Sequence, residues 1–500
     1  MNSKKFYITT TLPYVNAAPH IGFALELAQA DVIARHEASL RKEVFFNTGT
    51  DEHGVKIYRK AQEEGKTPQA FVDENAGKFR ALADALGVNY TNFIRTTDAA
   101  HKAATAEFWK RCAANMGEDG KPDIYKAKYS LKYCVGCELE KTDSDLKDGR
   151  CPVHPGLTIE EREEENYFFR FSRYQKQLLE LYDRQPDFVV PGHRLAEIRN
   201  FVGAGLHDFS ISRLTEKMPW GIPVPGDETH VMYVWFDALV NYITAPGWPK
   251  DEENFHAFWG TQDAPNALQI AGKDNLRQQS AMWQAMLMSA RLPSSRQILI
   301  HGFVLSGGEK MSKSSGNVID PMALVQRYGA DAVRYYLLRE IPTTEDGDWS
   351  DARFKERYNA DLANGLGNFV ARVLALAARE KKIVRSHDVP KEVSARIQEV
   401  RKEVAAKIGE FRLHEALAAL WNLIAFGDAY ANAKEPWKID DADIRAEVIF
   451  TLLSMVSEVE KMLAPFLPET AGKISASIAR DGDTDTVKIN RGPALFPRLE

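Results

Sequence analysis

Two short stretches carry side chains suited to a triphosphate. Pro19-His20-Ile21-Gly22 stands where a β-rich run gives way to a helical pattern. A helix start presents unpaired amides and positive partial charge, which favour phosphate, and a histidine beside it can donate a hydrogen bond to a phosphoryl oxygen. Gly22 leaves room there for a base or ribose. Much later, Lys310-Met311-Ser312-Lys313-Ser314 lies in a glycine- and serine-rich segment that cannot pack as a core. Its lysines, Lys310 and Lys313, can close over the same phosphates. Either stretch alone also reads as an ordinary turn. The pair, each beside a strand-like run, points to nucleotide chemistry.

A third constellation is Cys134-x2-Cys137 followed, after a loop, by Cys151-x2-His154. Three thiolates and one imidazole in two close pairs suit tetrahedral zinc. All four ligand positions are filled by protein, so the spacing predicts a structural metal rather than a catalytic one. Cys112 stands apart and reads as a plain buried thiol.

The elements that must position these residues follow a recognisable order. FYITTTLP is a β-rich run, NAAPHIG a turn, and Ile21 to Leu40 a helical pattern; Val44 to Thr48 is a second β-like run ending in GTDEHG. Strand, turn, helix, strand is the start of a doubly wound parallel sheet, whose ligands sit beyond the carboxyl ends of its strands. Residues 121–165 show little periodicity and read as an insertion held by metal rather than by a core. The sheet pattern resumes in HVMYVWFDAL, NALQIAGKD and QILIHGFVL. Past about residue 355, Leu413, Leu417, Leu420 and Ile424, and then Ile444, Val448, Leu452, Val456 and Val459, repeat at helical spacing and predict a bundle. The expected architecture is therefore α/β: a Rossmann-like, doubly wound parallel sheet with a zinc-knuckle insertion, followed by an all-α helical bundle. Its expected divisions are 1–120 and 229–325 for the two halves of the catalytic domain and 121–228 for the insertion. Residues 326–355 form a linking segment and 356–500 the bundle.

With 500 residues, 44 % hydrophobic and 27 % charged, the chain is long enough for several packed units and too apolar for disorder. A net charge of −6 neither proposes nor excludes a nucleic-acid partner, because binding depends on a local basic surface. No stretch approaches the roughly 18 apolar residues that span a bilayer. The start of the chain lacks a secretory pattern, so a cytoplasmic location and no membrane association are expected.

The phosphate-directed pair is the signature of class I aminoacyl-tRNA synthetases, and further stretches resemble the methionyl-tRNA synthetase family. These are Thr11-Leu12-Pro13-Tyr14, Thr50-Asp51-Glu52-His53-Gly54, Glu164-Glu165-Asn166-Tyr167-Phe168-Phe169, Ser210-Ile211-Ser212-Arg213, Val234-Trp235-Phe236-Asp237-Ala238-Leu239 and Gly272-Lys273-Asp274. The resemblance runs from residue 6 to about residue 440. It implies activation of methionine with ATP and transfer to tRNA(Met), with magnesium accompanying ATP and zinc in the knuckle. His20, Gly22, Lys310 and Lys313 would face ATP, with His20 and the two lysines acting in catalysis. For methionine it implies Asp51 on the ammonium and Arg213 near the carboxylate. A polarizable thioether favours aromatic surfaces, and Tyr14, Trp235, Tyr242 and Trp283 can wall a slot whose depth Leu12 and Ala238 set. In the helical end, Asn359 to Asn364 and Lys434-Glu435-Pro436-Trp437 resemble anticodon-binding motifs. Trp437 would stack on a base and Asn364 would hydrogen-bond one. Arg372, Arg379, Lys381, Lys382 and Arg385 read as phosphate contacts or as a solvated face.

Two departures mark the chain. Phe23 stands where the family usually has a second histidine, and Gln278 and Gln279 replace an aromatic residue and a histidine. The insertion looks too short for a separate editing domain, so homocysteine rejection within the synthetic site is expected. A monomer is expected as well. The alternatives left by the residues are another class I synthetase or a small-molecule nucleotidyltransferase.

Overall fold

The computed structural model describes residues 4–137, 139–141, 145–311, 318–380, 383, 388–480, 486–490 and 492–500, with the backbone alone at 129–131, 139–140, 162–164, 310 and 479–480. Lys313, Lys381, Lys382 and Arg385 lie outside the described residues, as does the Lys310 side chain.

Six strands form the central sheet: β1 (Lys5–Thr9), β2 (Glu43–Thr50), β3 (Asn92–Arg95), β4 (Val189–Val190), β5 (Ala267–Gly272) and β6 (Gln297–His301). They lie in the order β3-β2-β1-β5-β6-β4, and every pairing is parallel. Along β1, Phe6 and Ile8 enter one apolar cluster and Tyr7 the other. Alternation of this kind buries both faces, as a parallel sheet requires. Between β1 and β5 the strand order reverses, which opens a crevice at the carboxyl ends. Helix α1 (Ile21–Ser39) follows β1; nearly all of its first fourteen residues are buried, because it is packed on several sides rather than along one stripe.

Three expectations need correction. The short edge strand β4 arises from within 121–228, the stretch expected as insertion; two residues are too few to show a period. In HVMYVWFDAL, the strand Asp227–Met232 joins a separate antiparallel sheet with Ser212–Leu214 and Pro223–Val224, and Val234–Leu239 is helical. Residues 121–165 are more regular than expected. Ile124–Cys134 pairs antiparallel with Glu160–Phe169 from Ile124 opposite Phe169 to Tyr133 opposite Glu160, in a four-stranded sheet with Leu139–Lys141 and Phe209–Ser210. A ribbon pairs its backbone without a large core, so its charged sequence hid it.

The helical end contains Lys391–Gly409, Leu413–Lys434, Ala442–Leu463 and Pro468–Ser477. It ends in a small antiparallel pair, Ile478–Arg480 with Val487–Ile489, that helical periodicity could not announce. Leu413, Leu417, Leu420 and Ile424 are buried, as are Val448, Leu452, Val456 and Val459. Ile444 is instead 53 % exposed, in the first turn of its helix and off the packed face.

Arg334, fully buried on the helix Ala330–Glu340, ties this end to the central sheet. Its guanidinium meets Asp31 of α1 at 2.7 Å and donates to the carbonyls of Phe466 (2.7 Å), Pro465 (3.1 Å) and Leu86 (3.3 Å). Among the described residues no helix is long and apolar enough to cross a membrane.

Candidate active site

A cavity of about 510 Å³ opens at the carboxyl ends of β1, β2, β5 and β6, where the order of the sheet reverses. The segment after β1 supplies Leu12, Tyr14, His20 and Gly22, the end of β2 supplies Asp51, and the helix Val234–Leu239 supplies Trp235 and Ala238. Met311 and Val318, which bracket residues 312–317, also line it. Lys310 pairs in backbone register with Leu305 on the strand Val304–Ser306, which follows β6. The chain on both sides of Lys313 therefore borders the cavity that His20 enters.

His20 is the N-cap of α1, with extended backbone, and its Nδ1 accepts from the Gly22 amide at 3.1 Å. A neutral imidazole that accepts at Nδ1 carries its proton on Nε2, so the ring is set as a donor. Gly22 has a reason beyond room for the nucleotide. A Cβ there would lie 2.9 Å from His20 Cε1, so the glycine makes the cap possible. Phe23 packs edge-on against Phe79, with ring centroids 5.3 Å apart, and both line the cavity. An apolar contact thus occupies the position of the family's second histidine.

Backbone pairing aligns the amino-acid side of the cavity. Asp51 donates its amide to the Pro13 carbonyl at 3.0 Å, and Val15 donates to the Asp51 carbonyl at 3.1 Å. This fixes Tyr14 beside Asp51. Tyr242 lines the cavity, and Trp283, fully buried, stands behind it with ring centroids 6.0 Å apart. Trp283 is thus a backing residue rather than a wall. Arg213 is not among the lining residues. Its guanidinium lies 4.3 Å from the Tyr233 ring and 5.6 Å from the Tyr133 ring, and donates to Ser210 Oγ and the Ser212 carbonyl, each at 2.7 Å. Gln279 does line the cavity, and its Nε2 donates to the Tyr242 hydroxyl at 2.6 Å; Gln278 is buried away from it.

Two polar groups escaped the sequence reading. Glu26, two turns into α1, accepts from the Thr11 amide (2.6 Å) and hydroxyl (2.7 Å) and meets His301 Nε2 at 2.8 Å. Burial alone would lower the His301 pKa, but the Glu26 carboxylate outweighs it and the net shift is upward. The signal was present: a carboxylate inside an apolar helical run, and a histidine closing an apolar strand. The second group is a buried carboxylate between two imidazoles. Asp237 meets His53 Nδ1 at 2.6 Å and His101 Nε2 at 2.8 Å. Burial favours the protonated acid, yet the His53 charge and the hydrogen bonds from both rings hold the carboxyl pKa down to about 2. His53 follows Asp51 by two residues, and Asp237 follows Trp235 by two, so this pair fixes one side of the cavity against the other. Replacing Asp237 with alanine is expected to cost about 3–5 kcal/mol in equilibrium unfolding, because two buried imidazoles lose their partner. The folded-state pKa is depressed, so the contribution of the native carboxylate is present above about pH 4 and lost as pH falls through about 2. Urea titrations of both proteins across that range provide the check.

Cys134, Cys137, Cys151 and His154 converge at the tip of the β-ribbon, with ligand atoms all within 4.8 Å of one another. Cys137 Sγ lies 3.4 Å from Cys151 Sγ and 3.2 Å from His154 Nδ1, and Cys134 Sγ lies 3.9 Å from that nitrogen. Tetrahedral zinc with bonds of about 2.0–2.3 Å places its donors roughly 3.3–3.8 Å apart, so this set fits a metal. A Cβ on Gly136 would strike the His154 ring at 2.4 Å. Cys137 also borders the cavity, and Lys56 Nζ donates to the Gly136 carbonyl at 2.6 Å. The knuckle therefore abuts the site instead of standing apart from it.

Far from the cavity, Trp437 is 44 % exposed, with the Arg372 guanidinium 4.8 Å from its ring. Asn364 is exposed on the continuous helical run that leads, about two turns later, to Arg372. That exposure leaves one face of Trp437 available for stacking.

Comparison with known proteins agrees with this arrangement. The family described as tRNA synthetases class I (M) matches residues 6–157 and 139–374, and the anticodon-binding domain of tRNA ligase matches residues 390–491. The methionine–tRNA ligase of Mesorhizobium japonicum is 41 % identical over 508 aligned positions, covering 99 % of this chain and 96 % of the relative. That of Thermosynechococcus vestitus is 42 % identical, covering 96 % and 92 %. The fold matches Mycobacterium tuberculosis methionyl-tRNA synthetase in complex with methionyl-adenylate, with a TM-score of 0.90, 36 % identity and coverage of 99 % and 100 %. With its cavity at the reversal of a parallel sheet and its likeness spanning nearly the whole length, the chain belongs to the methionyl-tRNA synthetase family of class I aminoacyl-tRNA synthetases.

Proposed function

We infer that the chain activates methionine with ATP to methionyl-adenylate and transfers the methionyl group to tRNA(Met). The carrying observation is the convergence, around one cavity, of the His20 turn, Asp51, the Trp235–Tyr242 wall and Met311 and Val318, on either side of residues 312–317. A methionine carboxylate oxygen attacks the α-phosphorus of ATP, the bond to the bridging oxygen breaks, and pyrophosphate leaves. In the second step the 2′-hydroxyl of the terminal adenosine attacks the adenylate carbonyl and AMP leaves. The protein positions reactants and stabilises phosphate charge. His20 donates to a phosphoryl oxygen, Lys310 and Lys313 hold the leaving pyrophosphate, and ATP enters as its magnesium complex. Asp51 takes the ammonium, with Leu12, Tyr14, Trp235, Ala238 and Tyr242 around the side chain. Arg213 packs on Tyr233, the residue before the helix Val234–Leu239, and so acts on the position of Trp235 more than on the carboxylate. Cys134, Cys137, Cys151 and His154 hold zinc, which when bound cross-links the ribbon tip and takes no part in the chemistry. Trp437 and Asn364 meet anticodon bases.

Residues 1–120 and 229–325 serve as the catalytic halves, 121–228 as the insertion, which lends β4 to the central sheet, 326–355 as the link and 356–500 as the anticodon-binding part. ATP–pyrophosphate exchange across the twenty amino acids tests the reading: methionine should support exchange well above every other. Exchange with leucine or cysteine but not methionine would overturn it.

A further inference from the structure

A lysine beside a nucleotide cavity is expected to face phosphate, yet Lys273 does not line the cavity although Gly272, Asp274 and Asn275 do. Its Nζ donates instead to Asp346 Oδ2 at 2.6 Å and lies 4.5 Å from the centre of the Phe303 ring. Asp346 Oδ1 accepts from the Phe303 amide at 2.9 Å, and the Gly347 amide donates back to the Phe303 carbonyl at 3.0 Å. A Cβ on Gly302 would lie 2.1 Å from the Glu345 carbonyl, so glycine there lets the two segments come this near. Burial would raise the Asp346 pKa, but the Lys273 ammonium and the Phe303 amide outweigh it, and the carboxyl group stays ionised.

Phe303 is where the chain leaves β6 for the hairpin that bears Lys310. Its strands, Val304–Ser306 and Glu309–Lys310, set Leu305 opposite Lys310 across Gly307 and Gly308, whose positive φ (65° and 78°) suits a two-residue turn. Val304–Ser306 runs parallel to Gly347–Trp349, and the Gly308 amide donates to Asp348 Oδ1 at 3.0 Å. Trp349 packs on Tyr336 of the helix Ala330–Glu340, with ring centroids 4.6 Å apart, and the Tyr336 hydroxyl donates to the Asp348 carbonyl at 3.2 Å. The hairpin is thus fastened to residues 346–349, and these to that helix. Asp346 is where the same segment also reaches the turn after β5, beside Gly272 and Asp274. We propose that Asp346 is a positioning residue for the phosphate side of the cavity: by holding the Lys273 ammonium and the Phe303 amide together, it sets the approach of the Lys310 hairpin to ATP. Lys273 then acts through Asp346 and not on the phosphates. The inference rests on the reading of the chain as a methionine-activating enzyme.

The test is ATP–pyrophosphate exchange, with KM for ATP and for methionine measured separately. Asp346→Asn keeps an acceptor for the Phe303 amide but turns its NH2 group on the Lys273 ammonium, donor against donor. Lys273→Met removes the cation and leaves the carboxylate in place. Each should lower kcat/KM for ATP by about 10–100-fold, the scale of a small misplacement of reacting groups. KM for methionine should stay near the wild-type value, because Asp51 and Trp235 stand on other elements. The two residues act as one unit, so the double variant should be no worse than either single variant. Lys273→Arg, still a cation within reach of the carboxylate, should recover most of the rate. Wild-type ATP kinetics in Asp346→Asn overturn the proposal, as does a double variant whose losses multiply. A direct phosphate role for Lys273 would overturn it in another way: Lys273→Met would fall alone, while Asp346→Asn, which releases the cation, would not. Equal losses toward ATP and methionine, with lowered melting temperatures, would reduce the pair to a general structural contact and overturn it as well. In each of these cases the wild-type protein still exchanges with methionine and the activity reading stands. A wild-type protein that exchanges with no amino acid removes that reading and the role of Asp346 with it.

Discussion

Replacing His20 with asparagine is expected to slow methionyl-adenylate formation by about 10²–10³-fold, the usual effect of deleting one preorganised donor to developing oxyanion charge. Asparagine is chosen for a structural reason. His20 is also the N-cap of α1 and accepts from the Gly22 amide. Alanine would remove both roles and lose about 1 kcal/mol of stability with the cap. Asparagine can cap but is too short to reach a phosphate. Thermal melts should therefore place His20→Asn near the wild type and His20→Ala below it, while pyrophosphate exchange falls in both. An asparagine variant with wild-type exchange would dismiss the histidine from catalysis.

The second large effect concerns the metal. Cys151→Ala is expected to lower zinc affinity by more than the roughly 10–100-fold that loss of an outer-shell contact costs, because a direct ligand disappears. Elemental analysis after dialysis should find one zinc per wild-type chain and none in the variant. Activity should fall with the metal even though no ligand position faces substrate. The Cys134–Cys137 turn carries the Gly136 carbonyl that Lys56 binds, and Cys137 borders the cavity. Far-ultraviolet circular dichroism should change little, since the parallel sheet does not depend on the knuckle. Metal-free protein with full aminoacylation would separate the knuckle from the active site.

What could be read from the sequence was local. The knuckle and the His20 turn declare themselves because their partners are a few residues apart, and β1 and α1 because their periods are clean. The Glu26–His301 and His53–Asp237 contacts join residues 275 and 184 positions apart, and no spacing rule reaches that far. The contact of Gln279 with Tyr242 was hidden for the same reason: the two residues lie on separate elements. Arg213 shows the opposite failure. Its motif was legible, but motif match fixes neighbourhood and not direction, and the side chain turns between two tyrosine rings. The β-ribbon was missed because paired backbone leaves no periodic trace in a charged sequence.

Arg334 carries a consequence for how this molecule can be taken apart. Its charge is neutralised by Asp31, on the helix that His20 caps, and its remaining protons go largely to carbonyls at Pro465 and Phe466. A chain cut before that loop would keep the cation and lose the acceptors that make its burial tolerable. The two ends are therefore poor candidates for exchange as interchangeable modules, and a graft from a distant relative would have to bring both halves of this clasp.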